Sequence, residues 1–237
     1  SNDDRYIIAG YPWFKCRARD TFISLPGLTL SIEEDDYFEL VMKTAMKGYY
    51  EFMEGKPVTV HIAEIDQPDV PLWAVWALQQ YAKEKGKEAC LKKYGKFIKD
   101  VVMYVKCNHH PNLKLMPNGL LYTDGKDKAV TWMNSTANGH PVVPRTGYIV
   151  EFNALWYNAL CFCASLCELA GKEKDQQQFL EAAELAKQSF LDTFLNEYGY
   201  LYDYVDGKMI DWSVRPNMIF PVAFDYSPLS QDQKKRV

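Results

Sequence analysis

YPWFKCRARDTFISLPGLTL, residues Tyr11 to Leu30, sets the pattern for the rest of the chain. An aromatic run (Tyr11, Trp13, Phe14) is followed by Arg19-Asp20 and then by an apolar stretch through Phe22, Ile23, Leu25, Leu28 and Leu30. Asp20 has the chemistry of a helix N-cap, because a carboxylate accepts from the free N–H groups of a first turn. A helix with almost no polar side is expected to be buried all round. Arg19, beside such a helix end, is then either the partner of Asp20 or a group held for a polar ligand.

Working outward, apolar and amphipathic helices are expected to alternate. Asp36 to Glu54 carries Phe38, Val41, Ala45, Tyr49 and Phe52 at helical spacing, with Lys43, Lys47 and Glu51 elsewhere, and Gly55 and Pro57 end it. Asp69 precedes VPLWAVWALQQY, a helix of about Val70 to Lys85 that is apolar nearly all round. Glu88 to Cys107 is amphipathic, Phe152 to Ala170 apolar, and Asp175 to Leu195 amphipathic again. MIFPVAF reads as a short seventh, buried helix, and Ser230 opens a polar eighth. Inner helices of a ring touch neighbours on every side and outer ones do not, so this alternation fits one helix ring inside another. Paired-helix solenoids also alternate, but no repeat of fixed period is visible.

Between the fourth and fifth helices, 108–150 is a non-helical excursion with four prolines and turn signals at Asn118-Gly119, Asp124-Gly125 and Asn138-Gly139. Small hairpins are expected there, formed from runs such as LLYT and VTWM. Its Trp and apolar content argues against disorder. YGYLYDYVDG, after the sixth helix, reads as strand.

Composition narrows the function. Lys and Arg number 27 against 31 Asp and Glu, and no basic block exceeds Lys234-Lys235-Arg236, which argues against nucleic acid as the main partner. No apolar run approaches the roughly 20 residues that cross a bilayer. Six cysteines in 237 residues are too few for a disulfide framework. Cys161, Cys163 and Cys167 share a helix with no His nearby, so buried thiols in a reduced, cytoplasmic setting are expected and no metal or organic cofactor is implied. Aromatic residues make up 14% of the chain, which suits either a large aromatic core or stacking on rings of a ligand.

The loops before the apolar helices bring Arg19-Asp20, Asp66 and Asp69, the segment from Trp132 to Glu151, and Arg215 to Asn217 to one end of such a ring. Carboxylates, Arg, Asn and Trp together suit an uncharged polyhydroxylated ligand. Glycoside hydrolysis needs two carboxyl groups, and Asp20, Asp66, Asp69, Glu151, Asp203 and Asp211 are the candidates. Each has a plainer reading. Asp20 and Asp69 are placed to cap helices, Glu151 to meet a helix dipole, and Arg19, Arg145 and Arg215 to neutralise these acids. Trp13, Trp73, Trp132 and Trp212 are core residues or sugar platforms.

The strings AGYPWF, RDTFISLPGLTL, DVPLWAVWALQQY, NGLLY, TWM, PVVPRTGYIVEFNALWYNAL, YLYDYVDG and RPNMIFPVAF, in this order, carry a resemblance. The chain resembles the C-terminal amylo-α-1,6-glucosidase domain of glycogen debranching enzymes, an all-α (α/α)6 barrel related to glucoamylases. The resemblance implies one domain over 1–237 that is a segment with about four of the six helix pairs, and places the hairpin-rich 108–150 at the active-site end. It also implies inverting hydrolysis of α-1,6-linked glucose stubs on glycogen or a branched α-glucan, without cofactor. Arg19 and Asp20 then hold the terminal glucose, and Trp13, Asp69, Trp73, Trp132, Arg145, Asn153, Arg215 and Asn217 belong to the same binding region.

Three departures stand out. The family's general acid is the Asp of TWMD, and here the position is Asn134, an amide that cannot donate a proton as an acid does; such help is typically worth ~10²–10⁴-fold. Glu151 is the nearest replacement acid. The family's WGRD appears as Arg17-Ala18-Arg19-Asp20, without the Trp, and the family's base lies on a loop beyond Val237. A glucan-binding module without turnover and a helical scaffold for a protein partner are the competing readings.

Overall fold

The computed structural model describes residues 4–237. The chain gathers into two compact units, one running to Tyr104 and one from Val105. It is helix-rich, with eight α-helices and seven short strands among the described residues.

The first unit contains α1 (Ala18–Leu28), α2 (Asp35–Met53), α3 (Val70–Lys85) and most of α4 (Lys87–Lys106). α3 has the expected bounds: Pro71 sits in its first turn, where a missing N–H costs nothing, and Gly86 at φ 91° ends it. It is buried from Val70 to Val75 without a break. α2 turns Phe38, Val41, Met42, Ala45 and Tyr49 inward and leaves Lys43 and Lys47 outside. Aromatic rings join α2 to α3 and α4. Phe38 stacks on Tyr81 at 5.2 Å, Tyr81 meets Tyr94 edge-on at 5.1 Å, and Tyr49 meets Phe97 edge-on at 6.2 Å. Much of the aromatic content here is therefore core.

α1 differs from expectation in two ways. Asp20 lies inside its first turn, and the N-cap is Arg17, whose side chain makes no cap bond. The chain enters beside Ala63 in a parallel bridge, and the Ala63 carbonyl accepts the Ala18 N–H at 3.0 Å, so backbone does part of the work of a side-chain cap. Nor is α1 buried all round: Ala18, Phe22 and Leu25 are buried, while Ile23 and Leu28 are 36% and 55% exposed. It packs on α3 through one stripe, and an apolar composition cannot say which of its sides finds a partner.

In the second unit, β1 (Lys114–Leu115) and β2 (Leu121–Thr123) form a hairpin around Asn118-Gly119, and β3 (Thr136–Ala137) and β4 (His140–Pro141) form another around Asn138-Gly139. β5 (Gly147–Ile149) runs directly into α5 (Val150–Leu169). α6 (Glu173–Phe194) lays Phe179, Ala183, Ala186, Phe190 and Phe194 against the core and packs on α5. β6 (Tyr204–Asp206) and β7 (Met209–Ile210) follow.

All but the β3–β4 hairpin join one antiparallel sheet in the order β1-β2-β5-β6-β7. The strands of 108–150 thus pair with strands that follow α6. VTWM is not a strand. Asp124-Gly125 is not a hairpin turn either: a Cβ on Gly125 would lie 1.9 Å from the Arg145 carbonyl oxygen, so this glycine permits a close backbone approach. α7 (Ile219–Ala223) is five residues long, with Pro221 its one buried residue and Ile219 61% exposed, contrary to the expected buried helix. α8 (Gln231–Arg236) starts with the capping box of Ser230 and Gln233.

Candidate functional site

Two ion-pair networks stand at helix starts, one in each unit. In the first, Arg19 in the first turn of α1 reaches Asp69, the residue before α3. Nε donates to Oδ2 at 2.7 Å and Nη2 to Oδ1 at 2.8 Å, a bidentate pair that is nearly fully buried. Nη2 also donates to Gln67 Oε1 at 3.3 Å. Asp69 Oδ2 accepts in addition from Trp73 Nε1 at 3.1 Å, so its carboxylate serves this network and makes no cap bond. Burial opposes the charge on Arg19, but Asp69 outweighs it and raises the guanidinium pKa. The partner of Arg19 is therefore Asp69, not its neighbour Asp20.

Around this pair, Trp73 is buried and Asp20 is half-buried, its carboxylate making no hydrogen bond among the described residues. Asp66 is exposed. Trp13 and Tyr11, on a turn closed by the Phe14 N–H donating to the Gly10 carbonyl at 2.7 Å, are 84% and 86% exposed. The Arg17 guanidinium covers the Phe14 ring at 4.7 Å.

The second network is assembled by β5 and β6. Their register sets Ile149 opposite Tyr204, and the Val150 N–H donates to the Asp203 carbonyl at 3.1 Å. Arg145, two residues before β5, thereby faces Glu151 in the first turn of α5 and Asp203 at the entry to β6. Its Nη1 and Nη2 engage the two Glu151 oxygens, the second at 2.7 Å, while Nε and Nη2 donate to Asp203 Oδ2 and Oδ1 at 2.8 and 3.0 Å. Asp203 Oδ2 also accepts from Arg215 Nη1 at 2.7 Å, and the same Nη1 reaches Asp211 Oδ2 at 2.9 Å. Asn217, fully buried, donates to Asp203 Oδ1 at 2.7 Å and accepts from Trp132 Nε1 at 2.8 Å.

This network sets two guanidinium groups against three carboxyl groups. Burial pushes the Glu151 carboxyl up, more than Arg145 pulls it down. Asp211 goes the other way: burial raises it, but hydrogen bonds with Ser213 and the charge of Arg215 outweigh that and lower it. Carboxyl groups driven apart in this way are the usual basis for assigning one as acid. Glu151 is nevertheless closed in, 1% exposed with both oxygens on Arg145.

Asn153 is fully buried too, and its amide holds backbone: Nδ2 donates to the Leu121 and Ile149 carbonyls at 3.1 Å each, and Oδ1 accepts the Leu121 N–H at 2.7 Å. Asn134 lies in the open. It follows Trp132 and Met133, both held by Asn217, whose Nδ2 also meets the Met133 sulfur at 3.5 Å. Its side chain is exposed and makes no hydrogen bond among the described residues. Trp132 leaves 45% of its surface exposed beside it. The charged core of this network is thus spent on itself, while the Asn134 amide and part of the Trp132 indole stand exposed.

The sequence marks Asp203 and Asp211 as candidate carboxylates without joining them to the binding region, although Asp203 is the hub. The available signal was YLYDYVDG followed closely by RPN: a strand with an acid at its entry and an Arg-Asn pair after it.

The chain belongs to the amylo-alpha-1,6-glucosidase family, whose model matches residues 1–237, its whole length. The likeness carried by AGYPWF, DVPLWAVWALQQY and RPNMIFPVAF is therefore one of family, and it places the chain among glycoside hydrolases. No curated protein matches the chain.

Proposed function

We propose that the protein carrying this chain binds the non-reducing end of a branched α-glucan such as glycogen and hydrolyses α-1,6-linked glucose stubs, with inversion. Membership of the amylo-alpha-1,6-glucosidase family supports the substrate class. In this proposal α1, α3 and α5 belong to the inner ring of an (α/α)6 toroid and α2, α4 and α6 to the outer ring; the burial of α3 and α5 and the amphipathic faces of α2 and α6 favour it. Arg19 fixes Asp69 and Trp73. Asp20 and Trp13 meet glucose hydroxyls and a ring face, and Trp132, Asn217, Arg215 and Arg145 shape the region next to the scissile bond. The work would be done in the cytoplasm.

One observation carries this reading: the Arg145–Asp203–Asn217 network ends on Trp132 and Met133, so it holds rigidly the residues just before Asn134. Asn134 faces the leaving oxygen. Glu151, with its carboxyl pushed up by burial, is the acid closest to the role, and it acts only if it parts from Arg145. The closed Arg145–Glu151 pair favours a second reading, a glucan-binding domain with little or no turnover.

Glucose release from a branched limit dextrin separates them. If the natural protein is active and Glu151→Gln removes turnover while leaving binding, the hydrolase stands. If only Asn134→Asp releases glucose, the natural chain is a binder. If the natural protein neither binds nor cleaves branched glucan, the proposal fails.

A further inference from the structure

Four aromatic side chains after α6 take no part in either network. Tyr198 stacks near Tyr200 with ring centroids 6.3 Å apart, and Trp212 lies edge-on to Tyr198 at 6.4 Å and to Tyr202 at 4.6 Å. Tyr198 is 70% and Trp212 45% exposed, and Tyr200 and Tyr202 are half-buried. Burial is the normal fate of such rings, so a contiguous exposed group needs a reason. Their polar groups tell the same story. Trp73, Trp132 and Trp156 each donate the indole N–H to protein. The Trp212 N–H and the phenol groups of Tyr198, Tyr200 and Tyr202 make no hydrogen bond among the described residues.

The group is also pre-organised. Asn196, buried at the end of α6, accepts the N–H groups of Tyr198 and Tyr200 on Oδ1 at 3.0 and 3.3 Å, and its own N–H returns to the Tyr200 carbonyl at 3.0 Å. Gly199 makes the turn between them at φ 87°. The Tyr202 N–H donates to the Phe194 carbonyl at 2.9 Å, and Trp212 follows Asp211, which Arg215 holds. A surface fixed in advance loses little freedom on binding.

We propose that Tyr198, Tyr200, Tyr202 and Trp212 form an α-glucan surface site, built from side chains that belong to neither ion-pair network. The proposal rests on the α-glucan reading above. A sugar ring offers an apolar C–H face to an aromatic ring and hydroxyls at its edge, and here ring faces alternate with unused O–H and N–H groups. The interplanar angles of 20°, 63° and 76° give a faceted surface, suited to the curved α-1,4 chain; a flat, extended polysaccharide would call for coplanar rings. Such a site holds an outer chain of the glucan while a branch stub is engaged elsewhere.

The test uses affinity electrophoresis of the full-length protein through gels containing glycogen, with maltoheptaose as competitor. Tyr198→Ala and Trp212→Ala are compared with Asn217→Ala, and sedimentation is run on each. The site predicts retardation of the natural protein that maltoheptaose relieves. It predicts that each surface variant binds about 3- to 10-fold more weakly, as expected for one aromatic contact. It also predicts that Tyr198→Ala keeps whatever glucose release the natural protein shows. Retardation lost only in Asn217→Ala would overturn the surface site and leave the α-glucan reading intact. A natural protein that binds no glycogen overturns both. Unchanged glycogen binding, with surface variants that dissociate a dimer, would make the rings a protein contact and also overturn the site.

Discussion

Replacing Glu151 by Gln tests the second network directly. Both Glu151 oxygens accept from Arg145, and both side chains are about 1–2% exposed. Gln keeps the shape but loses the charge, and offers an amide N–H to a guanidinium that can only donate. Removing one partner of a buried ion pair typically costs ~3–5 kcal/mol, chiefly from the charge left uncompensated. Asp203 still accepts from Arg145, so the low end is expected here, about 3 kcal/mol, or roughly two powers of ten in the folded-to-unfolded ratio. Urea denaturation followed by tryptophan fluorescence reads this as a lower midpoint at unchanged slope. A double-mutant cycle with Arg145→Met isolates the pairwise part. A loss below about 1 kcal/mol, with no coupling in the cycle, would mean that the pair is not formed in solution, because surface-like pairs give values of that size. The measurement also bears on function. Lost turnover in a variant that is still folded and still binds glucan fits Glu151 as an acid; lost glucan binding fits it as the group that positions Arg145.

Asp69→Asn leaves Arg19 buried against a neutral amide and removes a charged acceptor of Trp73, so a loss of about 3–5 kcal/mol is expected in the same denaturation assay. Gly147→Ala should cost about 2 kcal/mol or more, because φ is 86° there and the new Cβ would lie 2.4 Å from the Val205 carbonyl oxygen; a midpoint within error of the natural protein would refute it. Cys90, buried with its thiol pushed up to about 12 and donating to the Leu78 carbonyl at 3.4 Å, should resist alkylation in the native state while exposed Cys107 reacts, as mass spectrometry of labelled peptides would show. The Asp211 carboxyl is lower in the folded state than the ordinary ~3.9. Its stabilising effect is therefore complete above that value and lost as pH falls through the folded pKa. Asp211→Asn should flatten the acid limb of the stability curve, and an unchanged limb would refute the assignment.

The legible parts of this chain were those whose causes are local. Pro71 at the head of an apolar run and Gly86 after it mark the ends of α3, Asn138-Gly139 fixes a two-residue hairpin, and Ser230 with Gln233 fixes the last helix start. What escaped depends on distance along the chain. β5 and β6 pair across the whole of α5 and α6, and no periodicity within either strand encodes that partner. Arg19 finds Asp69 fifty residues on and passes over Asp20 next to it. α1 and α7 depart from the expected burial for a related reason. Apolar composition records that a side can be buried, whereas Ile23, Leu28 and Ile219 are exposed because no element among the described residues is packed on them.

The networks themselves explain why the candidate site is hard to read from residue types. Arg145 is buried with carboxylates on both edges, and buried Arg19 is bound along one edge by Asp69 and also by Gln67, so both guanidinium groups act through what they hold. Arg19 ties the start of α1 to the start of α3, and the half-buried Asp20 carboxylate makes no hydrogen bond among the described residues. Arg145 ties the entries of α5 and β6 together, and through Asp203 and Asn217 it fixes Trp132 and Met133. Precision at a site comes from such supporting bonds, and here they end one residue short of Asn134. The bonds therefore hold the two residues that lead to position 134, where the chain carries an amide and not an acid. On this argument Asn134→Asp should be tolerated with a stability change within about 0.5 kcal/mol, since the side chain is exposed and makes no hydrogen bond among the described residues. Any gain in glucose release would then come from the carboxyl group alone, and not from a rebuilt site.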